Sequence, residues 1–190
     1  MKNARKSLRL SLLMGSVVVL TLSSCKKDED LVTVPPPDQN EGELITTMKV
    51  MFEDVSQVQP TTSATFQDLD GDGGNSPGIF EDIELAPNTT YTASILLLNE
   101  TESPTDTISN EVLEEASDHL FCFAPSGANV TITRTDTDGV YEVGLESEWT
   151  TGAVSTGSTR ITLKHQPDVK DGTCAPGETD VEINFVTKIQ

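Results

Sequence analysis

Alternation of apolar and polar residues sets in at Leu44 and, with one interruption, continues along the rest of the chain. Leu44, Thr46, Met48, Val50 and Phe52 share one face of a strand, because successive side chains of extended backbone point to opposite sides. Thr62, Ala64 and Phe66 mark a second strand, and Ile83 with Leu85 a third. Tyr91, Ala93, Ile95 and Leu97 give a fourth. Its other face also carries Leu96 and Leu98, which predicts a central strand. Within residues 106–118 the period changes. Ile108, Val112 and Ala116 recur every four residues, with Glu111, Glu114 and Glu115 on other faces, so a short amphipathic helix is predicted. Strands then resume at residues 120–124, at Val130 and Ile132, at Val143, Leu145 and Trp149, and at Ile161 and Leu163. The last holds Val181, Ile183, Phe185 and Ile189, with Glu182, Asn184 and Lys188 toward water. Asn and Asp-Gly clusters between the runs supply turn chemistry. About nine strands and one helix predict a mainly β fold, an immunoglobulin-like antiparallel β-sandwich, with a small closed β-barrel as the alternative. The strand–helix rhythm of nucleotide-binding folds is missing.

The stretch before Leu44 has a different character. Lys2, Arg5, Lys6 and Arg9 precede an apolar run over residues 10–22, too short to cross a bilayer as a stable helix. The run ends at Leu22-Ser23-Ser24-Cys25, which resembles the lipobox of bacterial lipoproteins. That resemblance implies a signal peptide over residues 1–24, cleavage before Cys25 and a lipid on its sulfur. Acyl chains at about 0.8 kcal/mol per buried CH2 would make such a membrane anchor permanent. Residues 25–42, with Lys26-Lys27-Asp28-Glu29-Asp30 and Pro35-Pro36-Pro37, read as an acylated cysteine followed by an extended acidic tether. A lysine followed by acidic residues just after the cysteine resembles the surface-export signal of bacteroidete-type lipoproteins. It implies an outer-membrane protein facing the medium, with the periplasmic face as the alternative. Residues 43–190 are enough for one core and are expected to form a single domain.

Charge narrows the partners. The chain has 12 basic and 31 acidic residues, and four of the basic ones lie in the leader. What remains after cleavage carries eight basic against 31 acidic residues, a net charge of −23. Binding nucleic acid phosphates needs clustered Lys and Arg, so that partner class is excluded. Cys122 and Cys174 are the thiols left after lipidation, and in an oxidising compartment a disulfide between them is the first expectation.

Three groups of residues could carry chemistry. Asp68, Asp70 and Asp72 alternate on a glycine-rich turn that matches the opening of a calcium loop, with Glu81 or Asp82 as further oxygen donors. Bound Ca2+ would be held weakly, on the order of 0.1–1 mM. The twelfth loop position is Ile79, where a bidentate Glu belongs, and the alternative is an acidic hairpin loop. Asp136-Thr137-Asp138-Gly139 is a second, poorer acidic turn. His119 and His165, with Glu178 and Asp180, have the atom types for Zn2+ or Cu2+, although their spacing is not diagnostic. A buried histidine held by a backbone or carboxylate hydrogen bond is the competing reading. No nucleophile elbow, phosphate loop or dinucleotide fingerprint occurs, so no enzyme is expected.

Several segments together resemble a family of small bacteroidete-type outer-membrane lipoproteins of unknown function. They are Leu163-Lys164-His165-Gln166-Pro167, Lys170-Asp171-Gly172, Gly177-Glu178-Thr179-Asp180, Asn88-Thr89-Thr90-Tyr91 and the acidic turns at Asp68 and Asp136. Some members bear the label of a type 1 periplasmic binding fold, which needs two α/β lobes and more chain than this. The resemblance implies association with TonB-dependent outer-membrane receptors and an accessory part in ligand capture or uptake. A structural or adhesive surface protein without a small-molecule ligand is the alternative.

Overall fold

The computed structural model describes residues 44–70 and 74–190. The leader, Cys25, the tether and Asp72 lie outside the described residues. Ten strands and one helix occur among those described, with the order β1 (Thr47–Asp54), β2 (Thr62–Gln67), β3 (Ile79–Phe80), β4 (Ile83–Leu85), β5 (Thr90–Leu98), α1 (Ile108–Glu114), β6 (His119–Ser126), β7 (Val130–Arg134), β8 (Glu146–Thr151), β9 (Ser155–His165) and β10 (Glu178–Ile189).

They build two sheets. One has six strands in the order β3-β2-β1-β5-β8-β7, the other four in the order β4-β10-β9-β6. The architecture is a β-sandwich and not a closed barrel. The doubly apolar strand foreseen at residues 91–98 is indeed central, with β1 on one side and β8 on the other. The two inner faces meet because each strand turns its alternate apolar residues inward. Met48, Val50, Phe52, Tyr91, Ile95, Leu97 and Trp149 from the larger sheet pack with Phe121, Ile161, Leu163, Ile183 and Phe185 from the smaller. Trp149 joins the layers. Its ring lies edge-on to Phe52 at 5.0 Å and to Phe123 of the opposite sheet at 5.9 Å. Its indole N–H, which burial would otherwise leave unpaired, donates to Ser147 Oγ at 2.9 Å.

The structure departs from the sequence expectation in five places, one of them the unforeseen two-residue β3. The sandwich is not wholly antiparallel, since β4 runs parallel to β10. The helix is shorter than residues 106–118, ending at Glu114 with Ile108 and Val112 buried. Leu44 is 52% exposed and precedes β1. Val143 and Leu145 are buried just before β8 and link the sheets: Phe121 N–H donates to Val143 O, and Ile95 N–H to Leu145 O.

Candidate functional site

The inner face of the smaller sheet ends in polar residues beside the C-terminus of α1. His119 opens β6 and His165 closes β9, and the antiparallel register sets them directly opposite each other. Their rings stack with centroids 4.9 Å apart and planes 13° from parallel. On the other side of β9, Glu178 pairs with His165. The register then slips between Thr179 and Val181, leaving Asp180 as the additional residue of a bulge. A bulge breaks alternation and re-aims a side chain. Thr179 keeps to the outer face, where its Oγ1 accepts from Lys164 Nζ at 3.1 Å. Asp180 turns to the histidines, with Oδ2 3.9 Å from His119 Nε2. His119 is 2% exposed, and the Asp180 side chain 9%.

Hydrogen bonding sets the tautomer of His119. Its Nδ1 lies 3.1 Å from the carbonyl oxygen of Glu115. A carbonyl only accepts, so Nδ1 carries the hydrogen and the neutral ring leaves the Nε2 lone pair directed toward Asp180. Burial pushes the His119 pKa down, against the Glu115 carbonyl and the Asp180 charge, which pull it up. Burial likewise pushes Asp180 up, opposed by His119, His165 and Lys164. Desolvation therefore works against an ion pair here, and Asp180 Oδ2 is buried with no hydrogen-bond partner. An oxygen in that condition ordinarily costs about 1–3 kcal/mol, so its retention needs a reason.

The surrounding loops brace the cluster. Gly177 has φ +78°, and a Cβ there would stand 2.1 Å from the His165 carbonyl oxygen, so only glycine lets the turn close against β9. Gln166 N–H donates to Asp118 O at 2.6 Å, and its side-chain amide donates to the carbonyls of Thr173 and Pro176. Lys170 Nζ bridges Ala116 O and Asp138 Oδ2, each at 2.7 Å. Cys122 and Cys174 form the expected disulfide, which pins this loop to β6 with Cα atoms 6.1 Å apart.

Of the residues expected around a transition metal, His119 and His165 stack on each other, and Asp180 Oδ2 lies 3.9 Å from His119 Nε2. Glu178 is opposite His165 but exposed. The third residue whose donor atom lies within 4.8 Å of donors on both histidines is Glu115. The sequence reading put Glu115 on a solvated helix face. Its one visible signal is the four-residue spacing to His119 across the end of α1.

The proposed calcium residues fare differently. Asp70 Oδ2 accepts from the backbone and side chain of Asn75, Glu81 Oε2 from the Thr65 amide, and Asp82 pairs with Lys188 at 2.6 Å. Asp68 Oδ1 accepts from the Asp70 amide. Among the described residues no three of these carboxylates bring oxygens within 4.8 Å of one another, and Glu81 and Asp82, between β3 and β4, have partners of their own. Asp138, on the second acidic turn, is likewise committed to Lys170.

No protein-family profile, curated protein or solved structure matches this chain. The site stands on its geometry.

Proposed function

We propose that the chain is an exported lipoprotein, anchored through a lipid on Cys25, whose acidic β-sandwich is a binding module on the outer membrane, facing the medium. In this reading it is an accessory to ligand capture at a TonB-dependent receptor rather than an enzyme. The observation that carries it is a basic, apolar leader ending in Leu22-Ser23-Ser24-Cys25 and placed ahead of a disulfide-bonded sandwich. Disulfides persist in oxidising compartments, so the Cys122–Cys174 bridge supports a location outside the cytoplasm independently of the leader. The charge supports it too: a strongly acidic body resists adhesion to anionic lipid, leaving the acyl group to provide attachment. The braced polar cluster at one end of the core favours binding over a purely adhesive surface, which would not need a buried histidine.

Mass spectrometry of the N-terminal peptide from purified membranes tests the anchor. The expected result is an acylated Cys25 as the first residue. An intact leader, or an unmodified thiol, refutes the reading. Protease added to intact cells separates the two faces of the membrane, with cleavage expected if the domain faces the medium.

A further inference from the structure

We propose that the cluster between β6, β9 and β10 is a binding site for one divalent transition-metal ion, with zinc the best match to its donors. The imidazoles of His119 and His165 and the carboxylate of Asp180 hold the ion, and Glu115 closes the site from its exposed side. This names the ligand class of the binding module, and it rests on the export reading only for where the metal is met.

Three independent features point the same way. The donor set is two imidazoles with carboxylates, the nitrogen and oxygen combination that zinc takes in four-coordinate sites and that calcium, needing six to eight oxygens, does not. The hydrogen bond from His119 Nδ1 to the Glu115 carbonyl fixes the ring so that Nε2 is the free donor. An outer partner of that kind is what orients metal-ligating histidines. Finally, Asp180 Oδ2 is buried without a hydrogen-bond donor and stands 3.9 Å from that nitrogen. A bulge dedicated to bringing a carboxylate into the core, only to leave it unpartnered, has no structural benefit unless a cation completes it.

The distances suit closure around an ion. Zinc bonds of about 2.0–2.1 Å put neighbouring donors of a tetrahedron roughly 3.3 Å apart. The present separations, 3.9 Å for Asp180 to His119 and within 4.8 Å for the Glu115, His119 and His165 group, are wider than this, so binding requires side-chain rotation to draw the donors together. His119 is fixed by its carbonyl, so half-buried His165 and exposed Glu115 make most of the movement. The competing explanation is a stacked histidine pair kept as polar core. It accounts for His119 but not for the orphaned carboxylate.

The test uses the full chain carrying Cys25→Ser, purified in detergent and stripped with chelator. That change removes the third thiol and the lipid together, so failure to bind metal and failure of the anchor are separate results. Zinc is titrated against a chromogenic chelator in millimolar calcium, which saturates weak surface carboxylates. One zinc per chain at micromolar or lower concentration is expected. Cobalt(II) bound in its place should give the visible band of a tetrahedral site. Asp180→Asn, which keeps the side chain's shape, and His165→Ala should each weaken zinc by ~100-fold or more and abolish the cobalt band, and Glu115→Gln should weaken it about tenfold. Copper(II) binding more tightly at the same residues agrees with the proposal, following the usual order of affinities. Absence of stoichiometric zinc overturns it, as does zinc affinity that is unchanged in a folded Asp180→Asn or His165→Ala protein.

Discussion

Replacing Asp138 by asparagine is expected to remove an acid-sensitive clamp above the histidine cluster. Asp138 and Lys170 are nearly excluded from solvent, with side chains 7% and 4% exposed, and their charged atoms are 2.7 Å apart. Burial pushes the Asp138 carboxyl up, but the hydrogen bond from Lys170, the amides of Tyr141 and Val140 and the lysine's charge outweigh it, holding the pKa at about 2 against an ordinary 3.8. At 1.36 kcal/mol per tenfold change in proton affinity, this lowering is a contribution of about 2 kcal/mol. The sign follows from linkage. A carboxylate whose pKa is depressed in the folded state stabilises above its unfolded value, and that contribution fades as pH falls from 3.8 toward 2. Asp138→Asn resembles a permanently protonated side chain. It should cost about 2 kcal/mol at neutral pH, with the difference from the parent narrowing below about pH 4. Urea denaturation of both proteins across this range, followed by the fluorescence of the single Trp149, measures it. A deficit that stays constant down to pH 3, or one well under 1 kcal/mol at neutral pH, refutes the reasoning.

Three other outcomes follow from the packing. Replacing Cys122 and Cys174 by alanine should cost about 4 kcal/mol on the chain-entropy estimate for their separation of 52 residues, read as a lower urea midpoint than the parent's. Trp149→Ala empties the contact between the sheets and is expected to cost roughly 3–5 kcal/mol, measured by thermal unfolding in circular dichroism. Gly177→Ala forces a Cβ onto the His165 carbonyl and a side chain into positive φ. It should destabilise by more than ~1 kcal/mol and weaken zinc binding in the same sample.

Alternation made most of the sandwich legible, because Tyr91, Ala93, Ile95 and Leu97, or Ile183 and Phe185, could be buried only on one face. The pieces that escaped are those without a period. β3 has two residues, both exposed, and β4 pairs in parallel with a strand far along the chain, which no local pattern announces. The histidines were recognisable as candidates by type, but their stacking depends on the register between β6 and β9. Asp180 is the instructive case. Counting back from Val181 and Glu182 places it toward water, and only the register slip turns it inward. Glu115 was hidden for a related reason, since a helix-surface reading stops where α1 stops and the site begins there.

The order of strands in space differs from their order along the chain. β10 comes last of the ten, yet it lies inside the smaller sheet between β9 and β4 and contributes Ile183, Phe185 and Ile189 to the core. Neither neighbour can complete its edge until β10 has arrived, so the smaller sheet stays open while the preceding 177 residues are already made. Before β10 docks, the paired β6 and β9 are parted from β4 and the interior lacks Ile183, Phe185 and Ile189, so this layer closes only with the strand made after all its partners.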